Sequence, residues 1–431
     1  MGLAVVAGLL TAAVGCSDRG APGKGDGGSG GKAGSERDAQ ADAQLPEITP
    51  TPTYYGDVEP ILRGNCVGCH RPDGVAPFAL TTFDAAAENA LPIAGVTQEH
   101  RMPPWPAVSS GDCPTLVGSR RLDDHAIAVL GSWARGGAPE GKAPAMLPAL
   151  PPAYGALKHV DAVLQSQTAY QPMPEKDDYR CFVVDPKLDA GDRYLAAYAV
   201  RLDAPGVVHH VQLWTIETDD SEAQLDALEA ADPEPGYECL GDIGVPGTFV
   251  SVWAPSDPVR RHPEGTGVLL HGGHRMVIQI HYHDHTGQSR ADRSSVELEL
   301  VKSVEHPARL WALAPPDINL APGEKSVKVQ GSLTVGTTAQ RVWGVRAHMH
   351  TLGSSEHVSL SVKGKDRCLL DIPRWDPSWQ MMYFYDQPLE LPAGSQLNVT
   401  CEYDTRNVSQ PVRYGPRSED EMCFAYFYVT D

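Results

Sequence analysis

Positive charge is scarce in this chain: 35 Lys and Arg stand against 55 Asp and Glu, a formal net charge of −20 over 431 residues. A surface of that sign repels phosphate, which argues against nucleic acid and anionic membrane surfaces as partners. No apolar run is long enough to cross a bilayer, since the nearest candidate, residues 1–16, falls short of the roughly 20 residues required. No nucleophile elbow and no phosphate-cradling glycine loop stands at a strand-to-helix turn, so hydrolase and nucleotide chemistry lack support. Long helices are also disfavoured, because Gly and Pro number 42 and 37 and punctuate the chain with turns. The length suits two to three domains, each with its own core.

What is present divides the chain into six stretches. Residues 1–16 form an apolar leader whose small residues run directly into Cys16. They resemble the export signal of bacterial lipoproteins, in which that Cys carries lipid. The missing Lys or Arg before Cys16 departs from the pattern, and a cleaved signal with an unmodified Cys is the alternative. Either reading exports the protein, to the periplasm or cell surface, with the membrane touched by a lipid anchor only. Residues 17–50 are polar and Gly-rich and read as a disordered tether.

Residues 51–142 read as a small all-α module. A short helical segment with Val58, Ile61 and Leu62 on one side leads into Cys66-Val-Gly-Cys69-His70. This C-x-x-C-H spacing resembles the attachment motif of c-type cytochromes, with Cys66 and Cys69 bonded to haem and His70 on the iron. Met102, on a Pro-braced loop, is the expected sixth ligand, with His100 as rival; the plainer alternative is that Met102 packs on Trp105. Asp123 should cap a closing helix that buries Ile127, Leu130 and Ala134 and stops at Gly136-Gly137.

After a Pro-rich spacer at 143–170, strands are expected at 207–216, 276–282, 296–300, 358–362 and 397–401, with no helix of comparable periodicity and a crossover over 301–323. The fold class is therefore mainly β: two tandem, jelly-roll-like β-sandwich subdomains, 171–305 and 306–431, preceded by the helical module. In Trp343–Gly353 the period of two puts His348 and His350 on one face of a strand. His209 and His210 are adjacent, so both can reach one metal only if the strand ends or bulges there. Singly, each His is more readily a core or surface residue. Together, imidazoles plus the Met422 thioether suit copper, because a soft thioether stabilises Cu(I).

From about Gln171 onward the chain resembles the copper type II, ascorbate-dependent monooxygenases. The motifs occur in family order: His209-His210, Ile278-Gln-Ile-His-Tyr282, His348-Met-His350 and Glu421-Met-Cys423, with Ser251-Val-Trp-Ala-Pro255 and Ala321-Pro-Gly-Glu-Lys325 between them. The resemblance implies an electron-transfer copper on His209, His210 and His281 and an oxygen-binding copper on His348, His350 and Met422. It implies hydroxylation of a C–H bond with O₂ and two electrons. Gln279, associated in the family with an electron route, is read as facing away from His281. Arg346, Tyr179 and Tyr426 match substrate-site positions, but Phe424 replaces the Asn that grips a peptide carboxylate. An apolar or aromatic small molecule is therefore expected as substrate. The resemblance also pairs Cys181 with Cys239 and Cys401 with Cys423, leaving Cys113 and Cys368 to pair or stay free.

The resulting expectation is an exported monooxygenase with two copper ions and one covalent haem c. A redox donor to the haem, or ascorbate, would supply electrons. The alternative is a non-catalytic haem and copper protein for electron transfer or copper handling.

Overall fold

A computed structural model describes residues 48–72, 74–109, 111–150, 155–173, 177–188, 191–255, 257, 259–283 and 290–431. The leader with Cys16 and nearly all of the tether lie outside the described residues. Within the described residues no helix is long and apolar enough to cross a membrane.

The first region is helical. A π-helical turn at Tyr54–Val58 runs into α1 (Glu59–Asn65), followed by α2 (Phe83–Glu88), α3 (Ala90–Gln98) and α4 (Asp124–Arg135). The Asp123 carboxylate accepts the Ala126 N–H at 2.7 Å and so starts α4, satisfying one of the unpaired donors of its first turn. Ile127, Leu130, Trp133 and Ala134 are buried on its inner face, and Tyr54, Val58, Leu62 and Ile93 complete that core.

Residues 103–109 and 111–121 behave differently from the helices around them. They form an irregular strap against the C-terminal strands instead of joining the helical core. Trp105, Ala107 and Leu116 are buried in the C-terminal core. Trp105 meets Tyr383 edge to face at 5.1 Å, and Val117 N–H donates to Phe384 O at 2.9 Å. Cys113 and Cys368, unassigned from sequence, form a disulfide that fastens the strap.

The rest is mainly β. The N-terminal half carries β1 (Ala162–Gln165), β2 (Asp178–Val184), β3 (Arg193–Arg201), β4 (Val208–Thr215), β5 (Tyr237–Glu238), β6 (Thr248–Trp253), β7 (Arg260–Arg261), β8 (Thr266–Leu270), β9 (Met276–Tyr282) and β10 (Ser295–Val301). The C-terminal half carries β11 (His306–Leu313), β12 (Asn319–Leu320), β13 (Val327–Thr334), β14 (Gln340–Met349), β15 (Gly353–Val362), β16 (Lys365–Ile372), β17 (Met382–Leu391), β18 (Gln396–Tyr403), β19 (Val412–Arg413) and β20 (Cys423–Thr430). One sheet runs β1-β10-β3-β8-β11-β20-β14-β17 through both halves. In the N-terminal half it packs on the sheet β5-β2-β9-β4-β6, and in the C-terminal half on β13-β18-β15-β16. Alternation places Val211 and Leu213 of β4 and Ile278 and Ile280 of β9 in the first core, and Val358, Leu360, Leu397 and Val399 in the second.

Two sequence expectations need correction. The stretch read as a crossover contains β11, which pairs in parallel with β8 and antiparallel with β20 and so joins the halves through hydrogen bonds. A helix also lies where none was expected: α5 (Asp219–Ala231), capped by the Thr218 hydroxyl. Only Ser221 and Leu225 are buried along α5, so its apolar periodicity is faint. The Glu222 carboxylate ties it to Arg275.

Candidate metal centre and cavity

The pairing of β4 with β9 shifts register between Val208 and His210, so that His210 faces His281 and His209 is the extra residue of a bulge. That bulge answers the problem posed by two adjacent histidines. A regular strand would send them to opposite faces. Here the nitrogen donors of His209, His210 and His281 lie within 4.8 Å of one another. The His281 Nε2 meets Asp177 Oδ1 at 2.8 Å, while its Nδ1 is buried with no protein partner. Tyr179 stacks on the same ring at 4.1 Å between centroids, an interplanar angle of 7°. A carboxylate on one imidazole nitrogen fixes the ring and leaves the other as a ligand, the usual backing of a metal-bound histidine.

The second cluster stands at the end of β14. His348 Nδ1 is bonded to Gln380 Oε1, and His350 Nδ1 to Asp420 O at 2.9 Å. Both rings therefore keep Nε2 as the available lone pair, with centroids 5.3 Å apart. Gly353 closes the His-x-His segment because a Cβ there would meet Trp375 Cδ1 at 2.7 Å. Met422 precedes β20, which pairs with β14 so that Cys423 lies opposite Met349. The Cys401–Cys423 disulfide joins this strand to β18, and Cys181–Cys239 joins β2 to the loop after β5.

Burial, above all, pushes His210 and His348 well below the ordinary imidazole range, and each is opposed further by the histidines around it. His281 and His350 are pushed down by burial too, against their hydrogen-bond acceptors. Neutral imidazoles of this kind present lone pairs to a metal without first losing a proton. Three imidazoles in one cluster, and two in the other with the Met422 thioether lining the same cavity, form a soft nitrogen and sulfur donor set without a carboxylate ligand. It fits copper.

Both clusters line one cavity of about 410 Å³. Phe249, Tyr414, Phe424 and Tyr426 form an aromatic wall, with Phe424 and Tyr426 stacked at 5.6 Å and Phe249 5.5 Å from Tyr426. Phe424 lies 6.3 Å from the His348 ring. Arg346 also lines the cavity at 3% exposure; its Nη1 donates to Val252 O at 3.0 Å, and its Nε has no protein partner. Tyr179 serves as a tether instead of an open wall residue, its hydroxyl donating to Pro416 O at 2.8 Å. Gln279 is two residues from His281 and shares its face of β9, contrary to the sequence reading. It is fully buried beside the Cys181–Cys239 disulfide and donates to Asp242 O at 2.9 Å.

Sequence reasoning gave no role to several residues of this site. Asp177, Gln380 and Glu421 orient the histidines, and Phe249 and Tyr414 extend the wall. Glu421 is fully buried and accepts the N–H groups of His350 at 3.0 Å and Leu352 at 2.7 Å. Its place beside Met422 was a usable signal; the others had none.

In the helical region Cys66 and Cys69 lie outside the three disulfides, and His70 Nδ1 meets Phe78 O at 3.1 Å. Burial pushes the Cys66 thiol up to about 12, away from the low values of a reactive dithiol. Met102 is half-buried at the start of the strap.

Residues 310–430 match the family model described as copper type II ascorbate-dependent monooxygenase, C-terminal domain. The chain is 28% identical to a rat peptidylglycine alpha-amidating monooxygenase over 182 residues, 40% of this chain and 18% of the relative. It is 21% identical to a tyramine beta-hydroxylase of Caenorhabditis briggsae over 306 residues, 63% of this chain and 48% of the relative. It thus spans less than a fifth of the rat protein and about half of the nematode one. Among solved structures, PNGase F of Flavobacterium meningosepticum aligns with 62% of this chain and 95% of its own at 6% identity, with a TM-score of 0.31, too slight a likeness to bear on the fold. Residues 310–430 thus resemble the C-terminal domain of the copper type II ascorbate-dependent monooxygenases, and the likeness to the two relatives points the same way.

Proposed function

We propose that the protein hydroxylates a C–H bond of an apolar or aromatic small molecule, placing one atom of O₂ in the product and the other in water with two electrons and two protons. The carrying observation is that two donor clusters share one cavity with an aromatic wall beside His348. Copper, when bound, supplies O₂ activation and single-electron transfer. His209, His210 and His281 would hold one ion; His348, His350 and Met422 would hold the other. The aromatic wall would place an apolar ring beside His348, and Phe424 removes the polar grip a peptide carboxylate would need. Arg346 keeps a buried guanidinium at the cavity edge, able to hold a substrate oxygen.

Cys66, Cys69 and His70, with Met102 as a further candidate ligand, would hold a haem c that supplies single electrons, with ascorbate as the alternative reductant. Two thiols outside any disulfide, and a His70 ring whose Nδ1 is engaged while Nε2 is left for iron, support that reading. Three disulfides support an oxidising, exported compartment.

The test is metal analysis of the copper-reconstituted full chain beside Met422→Ala, followed by O₂ uptake with aromatic candidates. Two coppers and one iron per chain, with the variant weakened for one copper, are expected. One iron with one copper or none would remove the monooxygenase reading.

A further inference from the structure

We propose that Asp177 couples the two metal sites, so that filling one raises the affinity of the other; the inference rests on the reading of both clusters as copper sites. Asp177 lies just before β2, 12% exposed at its side chain, and belongs to neither cluster. Its Oδ1 accepts from His281 Nε2 at 2.8 Å and from His283 Nδ1 at 3.2 Å. The same carboxylate reaches 241 positions along the chain to Ser418, accepting its N–H at 2.8 Å on Oδ2 and its hydroxyl at 2.7 Å on Oδ1.

Ser418 belongs to the turn between β19 and β20, which leads directly to Met422. That turn is closely packed. Asp420 N–H donates to Arg417 O at 3.0 Å, and a Cβ on Gly415 would come within 2.2 Å of Asp420 Oδ2. Asp420 O is the acceptor that orients His350, at 2.9 Å. One carboxylate therefore fixes a ring of the first cluster and the turn that fixes two donors of the second. Tyr179 repeats the link, stacking on His281 and donating to Pro416 O. A copper ion that immobilises His281 immobilises Asp177, and with it the turn holding His350 and Met422. The reverse follows by reciprocity. Hydrogen bonds to a charged carboxylate are about twice as strong as neutral ones, which suits them to carry such a linkage. Asn cannot replace this carboxylate, because its amide offers one acceptor oxygen where Asp177 accepts on two.

The test uses the full chain and Cu(I) alone, titrated against a chromophoric chelator. The first site is read in Met422→Ala and the second in His210→Ala. Adding Asp177→Asn should weaken the first site about 10- to 100-fold, as for other partners of metal ligands. It should weaken the second about tenfold as well, and abolish a cooperative enhancement of about fivefold or more seen in the unaltered chain. Ser418→Ala spares the His281 bond and should weaken only the second site and the cooperativity. A loss confined to the first site, or independent binding at both sites of the unaltered chain, overturns the proposal alone. Should Asp177→Asn fail to fold, Ser418→Ala decides: an unchanged second site and unchanged cooperativity overturn it. No copper binding at all would overturn the metal reading together with it.

Discussion

The first cluster draws all three imidazoles from β4 and β9, neighbours in one sheet whose backbones are hydrogen-bonded along their length. The second draws His348 from the end of β14, His350 from the residue just past it and its thioether from the residue before β20, at the exit of a turn. Ladder pairing fixes the first cluster, so it resists displacement much as the sheet does. The second depends on side-chain and disulfide restraints: Gln380, Asp420, Glu421 and the Cys401–Cys423 bridge. If both clusters hold copper as proposed, the sheet-built cluster would suit electron exchange with little rearrangement and the turn-borne one would allow a ligand to move.

The strongest way to break this comparison is to remove one ligand from each side. His210→Ala should empty the first site, whereas Met422→Ala should leave the two imidazoles able to hold Cu(II) and lose mainly Cu(I) affinity. Metal analysis under oxidising and reducing conditions reads the difference, and equal loss in both states would contradict it. Next in size is the Cys401→Ser, Cys423→Ser double variant. Opening a bridge across a separation of 22 should cost about 3 kcal/mol of stability. It should also weaken the second site more than the first, as thermal unfolding and metal titration would show.

How far the sequence reached follows the same division. Period-two alternation marked β9 at its observed ends, and His348-Met-His350 announced a shared face. The bulge at His209 was required by the chemistry before it was seen. Asp177 was not legible, because an acidic loop residue gains meaning only from Ser418, which the fold brings to it from 241 positions away. β11 was hidden for a related reason. Its Arg309, Trp311 and Ala312 are only partly buried or exposed, so its hydropathy reads as a connection. The strap at 103–109 and 111–121 carried no periodicity at all, and Trp105 gave no sign of which core it would enter.

A smaller effect is expected in the aromatic wall. Phe424→Ala should weaken binding of a simple aromatic such as phenol by about 1 kcal/mol, the worth of a ring–ring contact. Calorimetry measures this, and an unchanged affinity would remove Phe424 from the substrate surface. The smallest concerns the seam between the halves. His262 is buried against Tyr428 of the C-terminal half at 4.8 Å, with its Nδ1 bonded to Leu195 O at 2.8 Å. Burial lowers its pKa from 6.5 to about 4, although the Leu195 carbonyl pulls the other way. A depressed folded value means the stabilisation is present above pH 6.5 and is lost as pH falls through 4. Melting temperatures at pH 7 and 4 should differ less in His262→Gln than in the unaltered chain.

The Cys113–Cys368 bridge spans a separation of 255 and encloses the whole N-terminal half within one covalent ring. The exposed spacer at 141–150 lies inside that ring and is the natural place for a protease to cut. A single nick there would not release the helical region, because the two fragments would stay joined until reduced. Expressing the strands alone would leave Cys368 without its partner and the Tyr383 surface without Trp105. In practice the electron-donor candidate and the cavity it would serve must be made, purified and dissected as one covalent object.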